Sequence, residues 1–276
     1  MFFQYLKRGL TAGLVAGLAF GVFMAFVGNP FVVYTDELAH GGGHAAETGG
    51  DGHDADAEAA AGEHHEESDT HEAGETGHEQ PAVSMAVTKL VSVATSGFWG
   101  LLFGAVFFGG AFYFLEPAIP GTADTKSYLL AAAGFVTVSG APWLALPPVA
   151  PGMDQALPTQ TRLYIYGGMM VAGLVACLLS GLTYNRLNAE HGRIVGLVGA
   201  AVPLALLPVV AMVTPANPVT GTVPADLVAA FQGFVVFGQL VLWLVLASAH
   251  AWLQRRADDD SPDVETGLPD TDSVTA

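Results

Sequence analysis

Apolar positions along this 276-residue chain gather into long continuous blocks, not into the alternating pattern of half-buried strands. A helix needs ~20 residues to cross ~30 Å of hydrocarbon. Six blocks meet that length, at roughly Leu10–Gly28, Val87–Leu115, Ser127–Leu146, Tyr164–Tyr184, Ile194–Val213 and Leu227–Trp252. They predict an all-α membrane protein, a polytopic bundle of six transmembrane helices. Gly140 and Pro142 interrupt the third block, and Pro203 and Pro208 the fifth. Such breakers are tolerated in a bundle whose neighbours re-satisfy the freed backbone groups. A five-span arrangement that omits the third block is the alternative.

The cationic residues discriminate between the two counts, because cytoplasmic loops carry an excess of Lys and Arg. With six spans and a cytoplasmic N-terminus, the inner side receives Lys7, Arg8, Lys126, Arg186, Arg193, Arg255 and Arg256, and the outer side receives Lys89 and Arg162. Five spans would put Arg255 and Arg256 outside. Six spans with both termini in the cytoplasm is therefore preferred. Lys7 and Arg8 before an apolar stretch also suit a signal peptide. Yet the stretch is too long and no small-residue cleavage site follows, so it reads as a retained span.

Small residues set the packing within the blocks. Gly9, Gly13, Gly17 and Gly21 recur every fourth position and make a flat ridge along the first helix. Lipid supplies no hydrophobic force between helices, and such ridges let backbones approach closely. Gly168, Ala172, Ala176 and Ser180 repeat the device in the fourth span, and Gly100 and Gly104 lie in the second. The run from Ala12 to Leu18 also parallels that from Ala172 to Leu178. With six spans these two helices enter from opposite sides, which would fit two three-helix halves in inverted arrangement.

Outside the blocks the chain is acidic. There are 26 Asp and Glu against 9 Lys and Arg, within only 13% charged residues and a mean hydropathy of +0.45. Such a balance cannot neutralise phosphate, so nucleic-acid binding is excluded. The acid suits either exposed surface in a salty environment or attraction of cations. Four regions follow: residues 1–28, the first span; 29–86, an external loop; 87–256, the helical bundle; and 257–276, an acidic cytoplasmic tail. The loop and tail lack apolar periodicity and are expected to be disordered.

The loop carries seven of the nine histidines, His40, His44, His53, His64, His65, His71 and His78, interleaved with carboxylates as in Glu63-His64-His65-Glu66-Glu67. Imidazole with carboxylate suits divalent transition metals. A disordered ligand set gives weak, labile sites that concentrate metal without selecting it. The alternative is an acidic loop with incidental histidines. Cys177 is the single cysteine, so disulfides and thiolate cages within one chain are excluded.

No Cys-x-x-Cys, His-Glu-x-x-His or phosphate-cradling Gly-x-x-x-x-Gly-Lys motif occurs, and no triad is evident. The reading is that of a protein without enzymatic activity or a permanent cofactor. Ionisable and polar groups in or near spans are few, which makes each a functional candidate. Glu116, Gln232, Gln239 and His250 are the candidates for a cation path. Interhelical hydrogen bonding is the alternative role for the two glutamines, and a solvated interfacial position for Glu116 and His250.

Several stretches carry a family resemblance. They are Tyr5-Leu6-Lys7-Arg8-Gly9-Leu10 and Gly28-Asn29-Pro30-Phe31 around the first span, then Phe114-Leu115-Glu116-Pro117. The segment from Trp143 to Gly152 is the most specific, and Thr161-Arg162 follows it. In these the chain resembles the CbtA family, predicted cobalt transporter subunits, in a haloarchaeal-type version. The resemblance implies a membrane subunit for Co²⁺ uptake tied to cobalamin metabolism, and a small single-span partner of the CbtB type. It also implies five spans, against six from the residues. The reading is thus a multi-pass subunit of a cobalt uptake transporter whose outer loop collects metal. A non-transporting metal-binding sensor and an accessory membrane subunit are the alternatives.

Overall fold

A computed structural model describes residues 2–34 and 85–259. Six helices are long and apolar enough to cross a membrane: α1 (Phe2–Tyr34), α2 (Val87–Leu115), α3 (Ala123–Ala145), α4 (Thr159–His191), α5 (Arg193–Met212) and α6 (Ala225–Ala257). The third block is therefore a full helix, and six spans replace the five that the resemblance implied. A two-residue ribbon, β1 (Asp154–Gln155) with β2 (Val219–Thr220), ties the α3–α4 connection to the α5–α6 connection. Asn217 reinforces it by donating to Gln155 at 3.0 Å and accepting from the Leu157 amide at 3.1 Å.

Helices α1, α3, α4 and α6 outrun their apolar blocks, because polar flanks continue a helix once its apolar centre is packed, whereas α2 and α5 keep to theirs within a residue. The largest correction is at α1. The sequence places the end of the first region at residue 28, before Pro30, but the helix continues through Pro30 to Tyr34. A proline removes one N–H and presses on the carbonyl four residues earlier. Here a π-helical turn at Met24–Gly28 widens the backbone just before it. The same solution recurs at Pro142, which follows a π-helical turn at Val136–Gly140. The carbonyl of Val138, four residues before Pro142, instead accepts the Tyr166 hydroxyl at 2.7 Å. A third such turn spans Gly104–Gly109 in α2. In α5 the chain turns a corner at Leu206 (φ −78°, ψ −18°), between Pro203 and Pro208.

Packing follows the small residues. The glycine ridge of α1 lies on α2 at backbone distance: a Cβ added to Gly13 would sit 2.6 Å from Gly104 Cα, and one on Gly17 2.9 Å from Gly100 Cα. In α4 the expected ridge is only partly in contact: Ala172 and Ala176 pack at a buried core, and Gly168 does not. Gly168 has nothing within 4 Å, whereas a Cβ on Gly173 would meet Thr137 and Ala141 of α3. The remaining neighbours are α1 with α6, α6 with α3, α3 with α4, α4 with α5, and the C-terminal part of α3 with that of α5.

Two apolar cores result. The first gathers Ala12, Ala16, Phe108, Phe112, Leu130, Ala131, Leu246 and Ala247. The second gathers Ala141, Met169, Ala176 and Leu207, with Ala145, Ala172 and Ala211 packed on it. Gly192 (φ +85°) lets α4 turn directly into α5, a conformation that a side chain would strain.

Candidate functional site

The polar chemistry of the described residues concentrates at one end of the bundle, where α1 and α3 begin and α2 and α6 end. Its centre is His250, fully buried, with its ring against Phe108 and Phe112 at centroid distances of 5.0 and 4.5 Å. Ser127, also fully buried, meets His250 Nδ1 at 2.9 Å and donates to the Ala123 carbonyl at 3.0 Å. A hydroxyl has one proton, and a carbonyl can only accept. The Ser127 proton therefore goes to Ala123, Nδ1 carries the imidazole proton, and Nε2 keeps a lone pair. Among the described residues that Nε2 has no hydrogen-bond partner, and neither does Gln254 Nε2 one helical turn later.

Charged groups surround this centre. Tyr5 donates to Glu116 at 2.6 Å, and Lys126 reaches the other carboxylate oxygen of Glu116 at 3.5 Å. Arg8 donates to Gln254, which is 4% exposed. Arg255 pairs with Asp124 at 2.5 Å, and both are solvent-accessible. The positions follow from local structure. Thr122 caps α3 by accepting from the Thr125 amide at 3.4 Å, so Asp124 stands in the first turn, where a carboxylate meets the positive end of the helix dipole. His250, Gln254 and the intervening Ala251 repeat at helical spacing along the face of α6 turned to α1 and α3.

The arrangement bridges four helices and closes this end of the bundle. No three His, Cys, Asp or Glu side chains come together as a ligand set among the described residues. With Arg8 and Lys126 alongside, this is a latch between helix ends, and the lone pair of His250 Nε2 is its one unengaged soft donor.

The candidates for a cation path thus separate. Glu116 and His250 come to the same end of the bundle in two separate groups, Tyr5–Glu116–Lys126 and Ser127–His250. Gln232 and Gln239 share a face of α6 but go elsewhere, Gln232 donating to the Pro148 carbonyl at 3.2 Å and Gln239 accepting from Ser139 at 3.5 Å. Both bonds pin α6 to α3 or its following loop. Tyr5, Arg8, Ser127 and Gln254 were not singled out as site residues; Ser127 and Gln254, as polar residues facing a helix neighbour, were the detectable signals. His40, His44, His53, His64, His65, His71 and His78 lie outside the described residues, as does most of the acidic tail.

A family model described as probable cobalt transporter subunit (CbtA) matches residues 2–255, nearly the whole chain. Comparison with curated proteins and with solved structures gives no match.

Proposed function

Since the chain belongs to the CbtA family of probable cobalt transporter subunits, we propose that it is the membrane-embedded subunit through which Co²⁺ enters the cell, loaded from its own histidine-rich loop. The observation that carries the proposal is positional. Residues 35–84 join the end of α1 to the start of α2, opposite the latch formed by Tyr5, Glu116, Lys126 and His250. Lys7, Arg8, Lys126, Arg186, Arg193, Arg255 and Arg256 all lie at the latch end of their helices, and Lys89 and Arg162 at the other. The positive-inside rule therefore assigns the latch to the cytoplasm and the loop to the outside.

Seven imidazoles among fourteen carboxylates between Asp36 and Glu79 then form a labile reservoir at the outer mouth. The ions would pass toward the α3–α6 contact, where Gln239, Ser139 and the lone pair of His250 are among the polar groups within the spans. A single-span CbtB-type subunit is the proposed partner.

Uptake of labelled Co²⁺ by cobalt-starved cells with and without the chain tests transport. Loss on deletion is expected; unchanged uptake would favour a metal-binding sensor or an accessory subunit. Replacing the seven loop histidines by Ala separates collection from passage. Uptake is expected to fall at low Co²⁺ and return to near normal at high Co²⁺, and loss at every concentration would contradict a collecting role.

A further inference from the structure

We infer that the protein is an inverted repeat of two three-helix halves, α1–α3 and α4–α6, that exchange their third helices. Each half has an odd number of spans, so α1 and α4 run in opposite directions, and any relation between the halves must be a two-fold axis in the membrane plane.

The packing obeys such an axis. Exchanging α1 with α4, α2 with α5 and α3 with α6 turns the α1–α2 contact into α4–α5, turns α1–α6 into α4–α3, and returns α3–α6 to itself. The finer contacts follow. The C-terminal part of α2, at Phe108 and Phe112, packs on the C-terminal part of α6, at His250. The C-terminal part of α5, Leu207–Met212, packs on that of α3, Ala141–Ala145. Each packing unit is therefore two helices of one half and the third helix of the other.

Sequence register agrees at two places. The shift that aligns Ala12 to Leu18 with Ala172 to Leu178 carries Ala12 and Ala16, in the first core, onto Ala172 and Ala176, at the second, although it also carries Gly13, which meets Gly100 and Gly104 of α2, onto Gly173, which meets Thr137 and Ala141 of α3 and not α5. A separate shift carries Phe108 and Phe112 of the first core onto Leu207 and Ala211 of the second. That same shift carries the π-helical turn Gly104–Gly109 onto Pro203–Pro208, the corner of α5. The match is confined to α2 and α5, since the π-helical turns of α1 and α3 fall opposite α4 and α6, which are continuous helices; an interrupted helix at a matching place in each half is a mark of inverted-repeat carriers.

In this structure the latch end is held by Tyr5–Glu116–Lys126 and Ser127–His250. The repeat makes that latch one of two gates, the other being the packed C-terminal parts of α3 and α5 at the opposite end; both are closed in this structure, and they open in turn. The symmetry stands apart from the cobalt reading; the use of the gates for transport rests on it.

The test uses the full chain with Cys177→Ser and reporters at Phe114 and Val213, which the second shift relates and which are 73% and 81% exposed. Phe114→Cys and Val213→Cys are expected to react with a membrane-impermeant maleimide from opposite faces. Reaction from the same face overturns the inversion, whether or not cobalt moves.

Spin-label pairs then read the gates: Phe114→Cys with Trp252→Cys at the latch end, and Val213→Cys with Leu144→Cys at the other. Glu116→Gln, which loosens the latch, is expected to lengthen the first distance while the second stays short. Tyr5→Phe serves as a milder version should Glu116→Gln fail to fold. A second distance that lengthens together with the first, or a first distance that stays fixed in both variants, overturns the alternating gates.

Discussion

The two packing units of this protein share a plan and differ in chemistry. In the first, α1 and α2 close on the end of α6 with Tyr5, Arg8, Glu116, His250 and Gln254. In the second, α4 and α5 close on the end of α3. There the residues in register with Tyr5, Arg8 and Glu116 are Ile165, Gly168 and Pro215, and α3 offers Ala141, Leu144 and Ala145. Buried polar groups are expensive in a membrane and persist where they have work to perform. The difference teaches that helix packing is needed in both units, whereas the polar latch is needed at one end only.

Backbone contact gives the largest contrast. Gly13→Leu drives a side chain into Gly104, whose Cα lies 2.6 Å from the new Cβ. Overpacking against backbone, with no flexible side chain to yield, is expected to cost about 3 kcal/mol or more and to lower the yield of folded protein sharply. Gly168→Leu, on the matching helix with nothing within 4 Å, is expected to leave thermal unfolding in detergent unchanged. Equal damage by both would remove the distinction between the two helix faces.

The buried centre comes next. His250→Ala empties a site between Phe108, Phe112 and Ser127 and is expected to cost about 3 kcal/mol. Leu144→Ala, at the matching end of α3 but 48% exposed, is expected to cost well under half of that. Comparable losses would mean that the two ends bear equal load.

Tyr5→Phe removes one hydrogen bond to a carboxylate and is expected to cost about 1.5 kcal/mol while leaving the fold intact. Arg255→Gln should have the smallest effect, within about 0.5 kcal/mol, because Arg255 and Asp124 are both open to solvent. A large loss at Arg255 would move the latch outward, from the His250 layer to the helix ends.

Much of the fold was legible in the sequence because its signal is local. Twenty apolar residues announce a span wherever they occur, and cation placement counts the spans. The ends were less legible. Pro30 resembles a terminator, and only the π-helical turn before it shows how the helix passes through. In α4 the small-residue pattern found Ala172 and Ala176, which pack at the second core, but not Gly173, and it included Gly168, which meets nothing, because such a pattern does not state which neighbour it meets.

The site was half legible. Glu116 and His250 stood out as ionisable groups near spans. Their convergence depends on contacts such as Tyr5 with Glu116 and Ser127 with His250, between residues more than a hundred positions apart, for which one sequence carries no signal. Gln232 and Gln239 share a helix face, yet face sharing did not give them a common partner.

The most direct measurement of the central claim is Co²⁺ entry into proteoliposomes containing the purified, folded chain, with and without a single-span partner subunit. The account predicts saturable Co²⁺ accumulation that requires this chain and weakens in His250→Ala protein that remains folded. Absence of Co²⁺ entry above empty vesicles, with folded chain and partner both present, would contradict it.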